Sequence, residues 1–173
     1  MYFVALVCPQ EVNEKILRFK LWMKEHFGCV VALRSPSHIT LIPPFWIEEV
    51  DEPLLVDTLH SFATNIKAVQ ILIDGFSHFG KRVLFAAVKS DPELERLRNE
   101  IEAHFITTFF NILKEERAFH PHLTIANRDL RPGDFTKAWQ YFANKTFSEV
   151  FEIRVISILK HVDGAWKIIA DNK

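Results

Sequence analysis

The sequence has little cysteine. Only Cys8 and Cys29 occur among 173 residues, they do not form a C-x-x-C pair, and neither has the spacing to a histidine that a zinc site requires. This pattern excludes a disulfide-stapled secreted domain and a zinc finger. We expect both residues to be buried thiols in a reducing compartment.

An excess of one charge and long apolar runs are also missing. The formal net charge is −1, so there is no overall positive field for long nucleic acids, and any RNA must be handled in a local pocket. No apolar run approaches the length of a membrane-spanning helix. The opening segment MYFVALVCP lacks the basic region and the length of a signal peptide. These features predict a cytoplasmic monomer that does not bind membranes.

Glycine is scarce as well, at 5 positions, whereas 49% of the residues are apolar and 16 are phenylalanine. A chain of this composition can bury a substantial core and is not expected to be disordered. Its length predicts a single domain over residues 1–173, in which two halves pack closely.

Apolar periodicity predicts a supersecondary unit that occurs twice, each time as strand, long helix, strand, loop, helix and strand. The first copy has strands at Tyr2–Val7, His38–Ile42 (halted by Pro43-Pro44) and Val69–Ile73, helices at Val12–Phe27 (ended by Gly28) and Pro53–Ile66, and a β-prone segment at Val30–Leu33. The second has strands at Val83–Val88, Phe119–Ala126 and Phe147–Leu159, helices starting at Asp91-Pro92 and at Gly133, and an edge strand at Trp166–Ile169.

The duplication predicts the fold class. We expect an α+β protein with two pseudo-symmetric lobes, each a mostly antiparallel sheet backed by helices, and an active-site cleft between them. Residues 1–75 and 82–160 approximate the two lobes.

A His-x-Thr motif occurs once in each copy. The tetrapeptides are His38-Ile39-Thr40-Leu41 and His122-Leu123-Thr124-Ile125. Random placement of eight histidines and eight threonines gives roughly 0.4 such triplets, before the flanking apolar residues are required. Two motifs at matching places are therefore a specific signal, although ordinary half-buried strand histidines are the alternative.

Alternate residues of a strand share a face, so His38 and Thr40 should face the cleft while Ile39 and Leu41 enter the core. The second motif should behave in the same way. One neutral imidazole could take a proton from an attacking oxygen, and the other, protonated, could give one to a leaving oxygen. The threonine hydroxyls could donate to phosphate oxygens, unless they reflect only the β-propensity of threonine.

The residues favour chemistry without a metal or another cofactor. Two histidines without nearby carboxylates are a poor ligand set for most divalent ions. Asp74 and Asp129 do not occupy telling positions in the sequence.

The paired motifs resemble the signature of the two-histidine (2H) phosphoesterase superfamily, in particular its bacterial 2′-5′ RNA ligase-like branch. The similarity extends to the opening strand Tyr2–Val7, to residues 32–38 and to Phe119-His120-Pro121-His122. It implies a bilobal α+β fold and an enzyme that opens a 2′,3′-cyclic phosphate, or cleaves or joins a 2′-5′ linkage, at an RNA end or nucleotide. It also implies His122 as the base for water and His38 as the acid, roles that a ligation reaction would exchange.

Four further residues are candidates for the pocket, each with an ordinary alternative. His120 could share the face of His122 or lie at the rim, because Pro121 disturbs the alternation. Arg128 and Arg82 could meet a phosphate or be solvated loop residues. Phe45, like its neighbour Trp46, could stack on a base or pack in the core.

Three functions remain open at the level of sequence. The first is hydrolysis or ligation at an RNA cyclic phosphate or 2′-5′ bond. The second keeps the site but uses a small cyclic-phosphate metabolite, which the near-neutral charge favours. The third is a non-catalytic module that binds RNA or phosphate, for which arginine or lysine would serve better than histidine and threonine.

Overall fold

The computed structural model describes residues 1–62, 67–109 and 112–172. The strands are β1 (Tyr2–Val7), β2 (His38–Phe45), β3 (Val69–Phe79), β4 (Val83–Val88), β5 (His122–Ala126), β6 (Ser148–Ile153), β7 (Ile156–Val162) and β8 (Ala165–Asp171). The helices are α1 (Gln10–Phe27), α2 (Glu52–Phe62), α3 (Pro92–Thr108) and α4 (Phe135–Ala143), with short 3₁₀ turns at Val31–Arg34 and Glu49–Asp51.

The strands form two antiparallel sheets. The first sheet has the order β2-β1-β7-β8, and the second has the order β5-β4-β3-β6. Each copy of the repeated unit thus keeps its first two strands together, as β1 with β2 and β4 with β5. The predicted α+β class and its two antiparallel lobes are confirmed.

The third strand of the first copy, β3, lies in the second sheet, and the predicted third strand of the second copy divides into β6, which stays in the second sheet, and β7, which lies in the first. The sheets therefore do not coincide with the approximate segments 1–75 and 82–160. Strand β3 follows the first motif in the sequence but pairs with β4 in the second sheet. Strands β7 and β8 return to the first sheet, where β7 pairs with β1. The sheets are therefore interleaved along the chain. Strand β1 pairs with β7 from the second half, and β4 pairs with β3 from the first half.

Helix α1 lies where the periodicity predicts it. It ends at Gly28, whose φ of 70° is in the left-handed region and whose N–H bonds to the Lys24 carbonyl. The buried face of α1 contains Val12, Ile16 and Met23, and also Lys20. Lys20 is the one charged residue on this buried face of α1.

Strand β2 runs through Pro43 and Pro44 to Phe45, so the prediction that the prolines halt it is wrong. The reason lies in the sheet order and register. Strand β2 is an edge strand, where one proline can leave its missing N–H on the unpaired side, and an irregularity in the pairing between Tyr2 and Val4 accommodates the other.

The β-prone segment Val30–Leu33 is also a wrong prediction, since Val31–Arg34 forms a 3₁₀ turn. The N–H groups of Val30 and Val31 donate to Asp129 Oδ2 at 2.6 and 2.8 Å. This carboxylate comes from the loop after β5. Because it accepts from these two N–H groups, they are not available for pairing in a strand.

Other boundaries shift by a few residues. Asp91 caps α3 as predicted, accepting from the N–H groups of Glu93 and Leu94. The predicted strand at 119–126 begins only at His122, and the predicted strand at 147–159 is divided into β6 and β7. The predicted helix Pro53–Ile66 is seen as α2 up to Phe62, and its residues 63–66 lie outside the described part of the chain.

One continuous buried cluster draws on both sheets and all four helices. The other face of the first sheet carries a small apolar group of Phe3, Ala5 and Leu159. Across the three described ranges, no helix is long and apolar enough to cross a membrane.

Candidate active site

The two motif strands lie at adjoining edges of the sheets. Strand β2 is the edge of the first sheet, β5 is the edge of the second, and the two contact each other. Along β2, Ile39 and Leu41 are buried while His38 and Thr40 are half-buried. Strand β5 repeats this pattern. The sheets therefore bring both His-x-Thr pairs to one cleft, as the strand alternation predicts.

The cleft has two compartments. His38, Thr40 and Thr124 line a cavity of about 370 Å³. His122 lines a second cavity of about 620 Å³, which Thr40 and Pro44 also line. Each compartment thus holds one of the two motif imidazoles, and Thr40 lines both compartments.

Each imidazole is held by an equivalent hydrogen bond to the backbone carbonyl two residues before it. His38 Nδ1 lies 2.7 Å from the Pro36 carbonyl, and His122 Nδ1 lies 2.7 Å from the His120 carbonyl. A carbonyl oxygen only accepts, so Nδ1 must carry the proton in each ring. This fixes the tautomer and leaves Nε2 as the nitrogen that exchanges a proton with a substrate.

Burial makes both rings poor at holding a second proton. Desolvation, with smaller contributions from the positive charge of Lys20 and from His122, lowers the pKa of His38 to about 4, against the bond to the Pro36 carbonyl. The pKa of His122 is also lowered, mainly by desolvation. Both rings are therefore neutral at pH 7, and a nearby anion would be needed to favour the imidazolium form.

Aromatic rings pack against both histidines in a similar manner. The ring centroid of Phe3 is 4.7 Å from that of His38. On the other side, Phe85 is 4.9 Å and Phe79 is 5.1 Å from His122. These rings exclude water from one side of each imidazole, and Phe79 is itself 41% exposed beside the larger cavity.

The structure separates the four further candidates. His120 lines the larger cavity and Arg128 lines the smaller one, each with an exposed side chain. Arg82 is exposed at the turn between β3 and β4 and lines neither of these cavities.

Phe45 does not belong to the pocket, which corrects its candidacy. It pairs with Tyr2 across the first sheet, and the two rings stack with centroids 6.4 Å apart. Its side chain is only 7% exposed, because strand pairing carries it into the core.

Lys20 is the residue of this site that the sequence patterns did not single out. It is buried and lines the smaller cavity together with His38. The available signal was its place on the apolar stripe of α1, four residues after Ile16 and three before Met23. Within the described ranges, no group of three or more His, Cys, Asp or Glu side chains is arranged to hold a metal ion.

The fold and the paired motif strands define a bilobal α+β protein of the two-histidine type. The family model described as the 2′-5′ RNA ligase superfamily matches residues 9–165. The chain therefore belongs to this superfamily of 2H phosphoesterases.

Relatives share part of the sequence. A Bacillus cereus (strain ATCC 10987 / NRS 248) protein named "Putative phosphoesterase" is 33% identical over 92 residues, which are 52% of this chain and 51% of the relative. A protein of the same name from Bacillus thuringiensis (strain Al Hakam) is 32% identical over the same shares. The chain thus spans about half the length of the curated relatives it matches.

Solved structures share the whole fold. TT0787 of Thermus thermophilus has a TM-score of 0.72 at 18% identity, over 98% of this chain and 95% of that one. E. coli LigT complexed with 3′-AMP has a TM-score of 0.67 at 17% identity, over 98% and 95%. LigT complexed with phosphate reaches 0.61 at 15% identity, over 98% and 94%.

Proposed function

We propose that the protein is a metal-independent phosphoesterase acting on a 2′,3′-cyclic phosphate or a 2′-5′ phosphodiester of RNA or a nucleotide. The observation that carries this proposal is the matched pair of imidazoles. Each has its Nδ1 bound to the carbonyl two residues upstream, and each lines one of two compartments that meet at Thr40. Such a pair suits a reaction that needs one proton acceptor and one proton donor.

The proposed hydrolysis balances with water alone. His122 Nε2 takes a proton from a water molecule, whose oxygen bonds to phosphorus. The bond from phosphorus to one ribose oxygen breaks, and protonated His38 gives its Nε2 proton to that oxygen. The product is a phosphomonoester beside a free hydroxyl. Thr40 and Thr124 donate hydrogen bonds to the non-bridging oxygens as charge develops on them.

The roles of the histidines follow the family resemblance, and the reverse reaction exchanges them. In ligation, His38 would take the proton of an attacking ribose hydroxyl. His122 would then protonate the departing oxygen. The environment of both rings suits either direction, since burial lowers the pKa of each and keeps it neutral until an anion binds.

The size of the cleft supports a nucleotide or an RNA end as substrate. Cavities of about 370 and 620 Å³ are within the range of small-ligand sites. The LigT structures complexed with 3′-AMP and with phosphate have the same fold, which supports a nucleotide phosphate as the ligand here. The net charge of −1 keeps a small cyclic-phosphate metabolite as the second candidate.

A hydrolysis assay tests the proposal. The wild type, His38→Ala and His122→Ala are incubated in EDTA with 2′,3′-cyclic AMP and with a short RNA that ends in a cyclic phosphate. We expect turnover by the wild type and a loss of at least about 100-fold in kcat for each variant, the usual contribution of a general acid or base. His60→Ala, an exposed residue of α2, is the matched control and should keep full activity.

Each other outcome has a distinct meaning. Activity abolished by EDTA would contradict the metal-free mechanism. Equal activity in the wild type and both variants would contradict the site. Binding of either substrate without turnover would favour the non-catalytic module, and turnover of the cyclic nucleotide alone would favour the small-metabolite substrate.

A further inference from the structure

Lys20 differs from the other lysines of α1. Its side chain is buried, with 3% exposure, whereas Lys24 one turn later is exposed. Lys15 is 45% exposed and pairs with Glu149. The Lys20 ammonium lies 3.2 Å from the Ser35 carbonyl.

The buried ammonium lacks a countercharge. Among residues 1–62, 67–109 and 112–172, no carboxylate forms an ion pair with Lys20. Burying an unpaired cation is strongly unfavourable, and one carbonyl compensates for only part of the lost hydration. Desolvation accordingly lowers the pKa of Lys20 to about 8. A leucine or methionine would fill this place on α1 more stably, so packing alone does not explain the lysine.

The position of Lys20 indicates what compensates the charge. Lys20, His38, Thr40 and Thr124 line the same cavity of about 370 Å³. Its charge also acts on His38, lowering the pKa of that ring. An anion in this cavity would therefore lie beside the ammonium, the imidazole and two hydroxyls.

We propose that Lys20 binds the phosphate of the substrate, as a buried cation in the lining of the cavity that also contains His38. This role rests on the proposed function, and it adds a phosphate-binding group from helix α1 to a site otherwise built on strands. Lysine suits it as a compact point charge with three donors, of which the Ser35 carbonyl takes one. The phosphate takes the others.

The arrangement couples phosphate binding to the protonation of His38. Without a bound anion, the ammonium opposes a second positive charge on the imidazole. A bound phosphate neutralises the ammonium and attracts a proton to His38, so the ring becomes an acid when substrate is present. The group that acts on the Lys20 ammonium is Cys8, a buried thiol whose pKa is raised to about 12. Besides Lys20, the charged group that acts on the His38 ring is His122, which lies in the neighbouring compartment. The other titratable groups of the cavity are the Met1 amine, Arg128 and His161.

Binding of inorganic phosphate tests the proposal without requiring turnover. The affinity is measured by calorimetry for the wild type, Lys20→Met and Lys20→Arg. We expect Lys20→Met to weaken binding about 10- to 100-fold, as for the loss of a charged hydrogen bond, and Lys20→Arg to restore part of it. Lys24→Met is the matched control on the same helix and should bind like the wild type.

Two readouts distinguish this role from a structural one. Lys20→Met should keep or raise the melting temperature, because it removes an unpaired buried charge. In the wild type, phosphate affinity should fall as pH rises from about 8 to 10, where phosphate remains a dianion and the ammonium loses its proton. Lys20→Met should lack this dependence.

Unchanged phosphate affinity in Lys20→Met would overturn the proposal, and so would a wild-type affinity that stays constant over that pH range. Because the wild-type measurement needs no variant, a Lys20→Met protein that fails to fold leaves the test decisive. Phosphate binding that depends on Lys20, in a protein that hydrolyses no cyclic phosphate, would retain the proposed anion site and contradict the proposed reaction.

Discussion

At the scale of single residues, the site depends on how two rings are held. The carbonyls of Pro36 and His120 fix the tautomers of His38 and His122, and aromatic neighbours remove water from them. The motif histidines were visible in the sequence because alternation along a strand is local. The role of Lys20 was not predictable in this way, because a lysine on the apolar face of a helix points to a binding site only once the cavity beside it is known.

The lowered pKa of His38 predicts a loss of stability in acid. Its pKa is about 4 in the folded protein and 6.5 when unperturbed. The unfolded chain therefore takes up the proton first as pH falls below 6.5, which favours unfolding. Urea denaturation at pH 7 and pH 5 should show a decrease of up to about 2 kcal/mol from this residue.

The variant His38→Asn should lose less stability on acidification than the wild type, because the titrating ring is gone. His60→Asn on the surface of α2 is the control and should follow the wild type. An identical decrease in His38→Asn and the wild type would show that other groups cause the acid sensitivity.

At the scale of elements, local signals predicted well and distant contacts did not. Gly28 ends α1 and Asp91 begins α3 through hydrogen bonds to residues close in the sequence, so the local sequence predicts both boundaries. The turn at Val31–Arg34 depends on a carboxylate 98 residues away, and no local pattern reveals that. The passage of β2 through two prolines likewise depends on its edge position and on its irregular pairing with β1, which only the assembled sheet defines.

Asp129 predicts a coupling between stability and activity. Its carboxylate binds two N–H groups of the segment that leads into β2 and His38. Asp129→Ala should lower the free energy of unfolding by about 1–3 kcal/mol, because two donors lose their acceptor. Hydrolysis of 2′,3′-cyclic AMP should fall as well, since the loop after β5 no longer holds this segment.

A matched comparison is Asp134→Ala, because Asp134 precedes α4 without a side-chain capping bond. That change should shift stability by less than about 0.5 kcal/mol, as for most surface substitutions. If chemical denaturation gave equal losses for the two variants, Asp129 would have no special role in holding the segment.

At the scale of the whole molecule, the two sheets are interleaved. The repeat in the sequence predicted two similar lobes, and the strand orders show them. The placement of β3 in the second sheet and of β7 in the first was not predictable, because the pairing of β1 with β7 is decided by packing over the full chain rather than by either copy. The cleft is consequently framed by both halves.

Removing the last two strands should therefore damage the half of the site that lies at the start of the sequence. A protein ending at Ile153 lacks β7 and β8, which leaves β1 paired with β2 alone. We expect loss of cooperative thermal unfolding, measured by circular dichroism, and no hydrolysis. Ending the chain at Val162 removes only the edge strand β8 and serves as the milder comparison. A cooperative transition in the shorter protein would show that β1 and β2 are stable without β7.

The pairing of β1 with β7 also has a consequence for the order of events during synthesis. Tyr2 lies opposite Lys160, so during synthesis β1 and β2 must wait for residues 156–162 before their sheet is complete. The second sheet, whose strands lie within residues 69–153, can close earlier. A nascent chain thus carries His38 on an unfinished sheet at a stage when the strands around His122 can already pair, and the cleft is completed only after β7 has been synthesised.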